Sequence, residues 1–192
     1  NTKEFCRDCA DAAHAFRRGH ACLRYTGRAA ELVRGMKYRG ESYVCEAAGD
    51  LMARRYFSLA DPESGELPAW DAVVNAPMSA RKRQLRGYDQ AELIASAFAR
   101  RVRLPHLRGA LARTADTAVM SSLGREERLR NLTGTIACKA DPGGGATILL
   151  IDDVYTTGAT ADTCAEALLD AGAAAVDVFV FAIGADGRRA DE

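Results

Sequence analysis

The chain has 192 residues, 48% of them hydrophobic and 27% charged, and its 26 Lys/Arg balance its 26 Asp/Glu. A chain of this length builds one main domain whose core hides roughly 70% of the unfolded surface, and its ordinary composition excludes disordered, collagen-like and disulfide-scaffold classes. No window approaches the ~20 apolar residues of a membrane span, and cysteines spread over Cys6, Cys9, Cys22, Cys45, Cys138 and Cys164 read as reduced thiols in a cytoplasmic protein.

Residues 1–22 are polar and carry Cys6-Arg7-Asp8-Cys9, the edge of a small N-terminal appendage. Asn1 is not a natural start, which leaves room for residues upstream. Ala29, Leu32, Val33 and Met36 fall at helical spacing in 28–39, with Gly40 placed to end that helix. A second helix is expected over about 45–58, with Ala48, Leu51, Met52 and Tyr56 on one side. Asp61–Gly65 is a loop by composition.

Asp71–Ala76 reads as a short buried strand stopped by Pro77. Residues 78–87 read as a basic, Gly-ended loop. Helical periodicity returns at Ala91, Ile94, Ala97 and Phe98, and Val102–Leu104 reads as a short strand. Residues 113–131 are rich in Arg, Ser, Thr and Glu, which suggests a mobile loop running into a charged helix. After the turn Asp141–Gly145 come the strongest strand, Thr147–Ile151, a helix over Thr160–Ala171 and a strand over Ala174–Ile183. Strand, helix and strand at this spacing make a βαβ unit and a parallel sheet.

Charge is unevenly placed. Residues 81–130 hold 12 Lys/Arg against 5 Asp/Glu, and residues 131–192 hold 3 against 10. The basic block suits pyrophosphate or nucleic acid, or is a solvated surface.

The most informative stretch is Thr147-Ile148-Leu149-Leu150-Ile151-Asp152-Asp153-Val154-Tyr155-Thr156-Thr157-Gly158-Ala159-Thr160. An apolar strand runs into two carboxylates, then a Thr/Gly turn opens a helix. Alone, the acid pair also fits a turn cap or a Walker B strand. A Walker B strand needs a G-x-x-x-x-G-K-[ST] partner, which this sequence lacks. The turn adds hydroxyls, a permissive glycine and backbone N–H groups at a helix N-terminus, which suit a phosphate beside acid-held sugar hydroxyls.

This stretch resembles the 5-phosphoribosyl-1-pyrophosphate (PRPP) motif of type I phosphoribosyltransferases. Asp71–Ser79, followed by Arg81, Arg83 and Arg86-Gly87-Tyr88-Asp89-Gln90-Ala91, narrows the likeness to the ComF family of competence-associated members. Arg113, Thr117, Arg128 and Asn131–Gly134 match that family's second block, and Tyr25-Thr26-Gly27 with Lys37-Tyr38-Arg39-Gly40 its first. Asp89, Met120, Ile136 and the pair Asn75-Ala76 depart from the family's usual residues.

The resemblance implies an α/β protein with the type I phosphoribosyltransferase fold, a central, mostly parallel sheet flanked by helices. Residues 1–22 would be the remnant of a zinc-ribbon-like segment. Residues 23–192 would be the phosphoribosyltransferase domain, with a hood at roughly 23–57 and a flexible loop at roughly 113–128. Asp152 and Asp153 would contact the ribose hydroxyls. Tyr155, Thr156, Thr157, Gly158, Ala159 and Thr160 would hold the 5′-phosphate. Pro77, Met78, Ser79, Arg83 and Arg86 would meet pyrophosphate, with Arg125 or Arg128 closing over it. Mg²⁺ would accompany PRPP. Cys6 and Cys9 would form half of a zinc ribbon, with Cys22, His14 and His20 as candidate substitutes for a second pair.

The implied activity is phosphoribosyl transfer to a small-molecule acceptor, which the sequence does not name, in connection with DNA uptake. The competing reading is an accessory protein that binds single-stranded DNA or a competence helicase. A homodimer is left open, and His106 reads as structural.

Overall fold

The computed structural model describes residues 13–114 and 135–184. Four strands form one fully parallel sheet, in the order β1 (Arg18–Arg24), β6 (Ala175–Ile183), β5 (Thr147–Tyr155), β2 (Ala72–Asn75). The helices are α1 (Gly27–Tyr38), α2 (Tyr43–Phe57), α3 (Ala80–Arg86), α4 (Gln90–Val102) and α5 (Ala159–Asp170). A separate antiparallel pair joins β3 (Leu111–Arg113) to β4 (Ile136–Cys138). This is the α/β architecture with a parallel sheet flanked by helices that the sequence predicts.

The central strands are apolar on both sides because both faces are covered. Leu149 and Ile151 of β5 join Phe179 and Phe181 of β6 in a core shared with α1, α2 and α4. Ile148 and Leu150 alternate to the other face, where Val176, Val178 and Val180 meet Cys164 and Leu168 of α5. Burying side chains as large as Phe98, Phe179 and Phe181 is worth roughly 1.5–3 kcal/mol each. A Cβ at Gly49 would meet Ala97 Cβ at 2.6 Å, so this glycine lets α2 lie against α4.

The chain passes from β2 through α4 to the outer side of β2, where Val73 N–H donates to Pro105 O and Leu107 N–H to Val73 O. It then returns to build β5 on the inner side of β2. The direction of winding therefore reverses between β2 and β5. Ligands in open α/β sheets sit at the carboxyl ends beside such a reversal.

Several elements differ from the sequence expectation. Residues 80–86 are helical rather than loop. Ser79 caps α3 by accepting from Lys82 N–H at 3.4 Å, and Gly87 ends it at φ 79°. None of its residues is buried, so no apolar period marked it. Val102 ends α4 instead of starting a strand, because Arg103 turns left-handed at φ 59°. Leu32 and Leu51 face outward, each 38% exposed. Strand β5 continues to Tyr155, four residues past its expected end, through pairing with β6. The boundary expected at 22/23 falls inside β1, whose pairing with β6 begins at Arg18. Helices α1 and α2, where a hood was expected, supply Val33, Met36, Cys45 and Met52 to the core.

Candidate functional site

Pairing with β2 stops at Asn75 opposite Ile151, so the next two residues of β5, Asp152 and Asp153, extend beyond that neighbour. Alternation sends them to opposite faces: Asp153 follows Ile151 toward α1, and Asp152 follows Leu150 toward α5. Asp153 Oδ2 is 2.9 Å from Lys37 Nζ at the end of α1. Asp152 Oδ1 accepts the Asp153 N–H at 2.7 Å. Burial, and then the neighbouring Asp153 charge, push the Asp152 carboxyl well above the usual carboxylate range. Burial alone would lower the Lys37 ammonium, but the charge and hydrogen bond of Asp153 outweigh it and raise it.

The turn after β5 leads directly into a helix N-terminus. Thr156 and Thr157 lie outside regular structure, Gly158 is left-handed at φ 77°, and Ala159 and Thr160 open the twelve-residue α5. The N–H groups of a helical first turn lack intrahelical partners and favour an anion. Gly158 is required twice over, since a Cβ there would also collide with Tyr155 Oη and come within 3.1 Å of His14 Cε1. Tyr155 stands edge-on to Phe16 with centroids 6.3 Å apart, and His14 bonds Asp162 of α5 at 2.9 Å. The segment before β1 thus backs the turn.

A cationic group faces the acids from the β2 side. Arg113 Nε donates to Pro77 O at 3.0 Å, drawing β3 to the Pro77–Ser79 turn. Although Lys82 is exposed, partial desolvation by its neighbours lowers its ammonium, the charges of Arg113, Arg86 and Lys37 lower it further, and Asp153 pulls the other way. Lys37, Lys82 and Arg113 were not among the anion contacts expected from sequence. The signal was available for Lys37, which lies in the Lys37-Tyr38-Arg39-Gly40 run. For Lys82 it was hidden by the absence of periodicity in α3.

The two arginines expected there, Arg83 and Arg86, each also hold a protein partner. Arg83 pairs with Glu92 at 3.0 Å. Arg86 donates to Gln90 Oε1 at 2.9 Å and lies 5.7 Å from the Tyr38 ring centroid. Asp89 caps α4 by accepting from Glu92 N–H at 3.2 Å, and it accepts from Met78 N–H at 3.3 Å. Its carboxylate thereby ties the Pro77–Ser79 turn to α4. Burial raises the Asp89 carboxyl, against those two N–H bonds. Asn75 meets His106 at 3.1 Å, and His106 meets Ser96 at 3.1 Å, so this histidine is a structural link.

Arg125, Arg128, Thr117, Met120, Cys6 and Cys9 lie outside the described residues. Of the substitute zinc ligands, His14 and His20 have partners of their own among the described residues. His14 bonds Asp162, His20 lies against Trp70 and Phe179, and no three His, Cys, Asp or Glu side chains form a metal group among the described residues. Cys45 and Cys164 are buried free thiols, and Cys138 is a half-buried one. No helix among the described residues is long and apolar enough to cross a membrane.

No family model matches the chain. The DNA utilization protein YhgH of Salmonella typhi is 30% identical over 155 residues, which cover 81% of this chain and 67% of that protein. The chain belongs to the ComF family. The YhgH protein of Escherichia coli K12 is also 30% identical, and the chain spans 64% of its length. Competence protein ComFC of Bacillus subtilis is 28% identical over 176 residues, covering 88% of this chain and 68% of that one. Among solved structures, glutamine PRPP amidotransferase from B. subtilis is similar with a TM-score of 0.46 and 17% identity, over 71% of this chain and 25% of that one.

The residues of this ComF member suit Mg²⁺ in one way. Two carboxylates, one already paired with Lys37, are too few for an all-protein cage. Mg²⁺ keeps several waters and takes its remaining ligands from the oxygens of a bound molecule, and an acid pair among the described residues is compatible with that mode only.

Proposed function

We propose that this protein binds PRPP with Mg²⁺ and transfers its phosphoribosyl group to a small acceptor with release of pyrophosphate. The observation that carries this reading is the position of the acid pair. Asp152 and Asp153 follow one another directly into the turn at the start of α5, and the charges of Lys82, Arg86 and Arg113 act on one another near Asp153 on the other side. PRPP has the same order of parts: a phosphate, a sugar with two free hydroxyls, and a pyrophosphate.

In this reading the Thr156–Thr160 turn grips the 5′-phosphate, and the acids orient the ribose hydroxyls. Their negative charge also favours the ring as positive charge develops at C1. Lys82, Arg86 and Arg113 stabilise the departing pyrophosphate, and the bound Mg²⁺ supplies further charge neutralisation when present. Little covalent work falls to the protein, and rate comes from positioning.

The test is pyrophosphate release from PRPP with Mg²⁺, assayed against nucleobases, ammonia and small amines. Release above the uncatalysed rate with one acceptor class supports transfer. Tight PRPP binding without release would make the protein a PRPP-binding accessory instead.

A second reading is supported by exposed aromatics beside basic side chains. Tyr38 and Tyr43 are 75% and 72% exposed, and Arg86 approaches the Tyr38 ring. Stacking rings interleaved with cations suit single-stranded DNA, and relatives named for DNA utilization and competence fit that partner. Fluorescence anisotropy of a labelled oligonucleotide over a salt series tests it, and absence of binding at low salt removes it.

A further inference from the structure

We propose that Lys37 is a positioning residue for the acid pair, acting on the sugar through Asp153 rather than on the pyrophosphate directly. The inference rests on the PRPP reading above. Three observations carry it. The Lys37 ammonium sits 2.9 Å from Asp153 Oδ2, with both side chains largely buried. The backbone that delivers it is fixed, because the carbonyl oxygen of the preceding residue, Met36, accepts from Tyr88 Oη at 2.7 Å and Gln90 Nε2 at 2.9 Å. Gln90 is in turn held by Arg86. The Arg86-Gly87-Tyr88-Asp89-Gln90 run therefore serves the site indirectly, by setting where α1 ends and how far Lys37 reaches.

The ion pair has a geometric consequence. One Asp153 oxygen is occupied by Lys37, and no other contact to that carboxylate is present among the described hydrogen bonds. With respect to the described residues its second oxygen is available to a hydroxyl donor. A charged, fixed carboxylate accepts a hydroxyl hydrogen bond more strongly than a neutral or rotating one. Removing Lys37 leaves a largely buried Asp153 carboxylate without the partner that fixes its orientation, so the group is free to rotate away from the sugar.

The experiment compares PRPP and inorganic pyrophosphate, each with Mg²⁺, by isothermal titration against wild type, Lys37→Met and Lys37→Gln. The expected result is a roughly tenfold or greater loss of PRPP affinity with pyrophosphate affinity unchanged, the size expected for a hydrogen bond to a charged group. Equal losses for both ligands, or unchanged PRPP affinity, overturn the proposal. A wild type that binds no PRPP sinks the functional reading itself and is distinguishable, since the failure precedes any substitution. Thermal unfolding without ligand adds an independent check that holds even if Lys37→Met is poorly folded. Lys37→Met combined with Asp153→Asn should melt above Lys37→Met alone, because both partners of the pair are then gone. A double variant that melts no higher shows no coupling and overturns the proposal.

Discussion

Gln90 Nε2 donates to the carbonyl oxygen of Met36, 54 positions earlier in the chain, at 2.9 Å. This bond ties the first turn of α4 to the last turn of α1. The same carbonyl accepts from Tyr88 Oη. The expected cost of Gln90→Ala is about 1–3 kcal/mol, because a buried amide's contacts are lost, and that of Tyr88→Phe is about 1 kcal/mol. The double variant should lose more than the sum, since either donor alone still satisfies Met36 O. Urea unfolding of the four proteins measures all three quantities.

Gly158→Ala should remove phosphate binding while leaving the protein folded. A side chain there is strained at φ 77° and meets the Tyr155 hydroxyl. The strain costs about 1–2 kcal/mol of stability, visible as a lowered melting temperature. Phosphorus-31 NMR titration with ribose 5-phosphate reads the binding, and an unchanged affinity would show that the turn is not the phosphate cradle.

His106 gives the protein a pH-dependent stability term. Burial, and then the charge of Arg108, lower its imidazole to about 4, against about 6.5 in an unfolded chain. The unfolded state therefore binds the proton first as pH falls. The contribution is fully present above about pH 6.5, shrinks between there and about pH 4, and is constant below. Its upper limit is about 3 kcal/mol. His106→Gln should flatten urea-derived stability over that interval relative to wild type, and an identical slope would contradict the assignment.

Asp177 is buried at the amino end of β6 and accepts from Trp70 Nε1 at 2.8 Å and from Arg17 Nη2 at 2.9 Å. Burial would raise its carboxyl, but the hydrogen bonds from Arg17 and Trp70 outweigh that and lower it. Trp70→Phe removes a donor to a buried carboxylate and should cost about 1.5–3 kcal/mol. Calorimetric unfolding of the two proteins reads the difference.

Much of this was legible in sequence because the informative residues are local. Ile148 to Ile151 announce a doubly covered strand, and the Asp152–Thr160 order announces a glycine turn that opens a helix. What stayed hidden depends on contacts distant in the chain. The Lys37-Tyr38-Arg39-Gly40 run marks Lys37 but does not say that it reaches Asp153, and nothing near Tyr88 or Gln90 points to Met36. Helix α3 was missed because it buries no face, so its existence rests on the Ser79 cap and Gly87 rather than on periodicity. The extension of β5 to Tyr155 was missed because carboxylates usually mark a strand's end, and here β6 continues to pair beyond them.

The most direct test of the central claim is isothermal titration of the full chain with PRPP and Mg²⁺. Saturable binding is expected with a dissociation constant below about 1 mM, lost when Asp152→Asn and Asp153→Asn are combined. No heat at millimolar PRPP, or unchanged binding in the double variant, would contradict the assignment of this acid pair to a phosphoribosyl ligand.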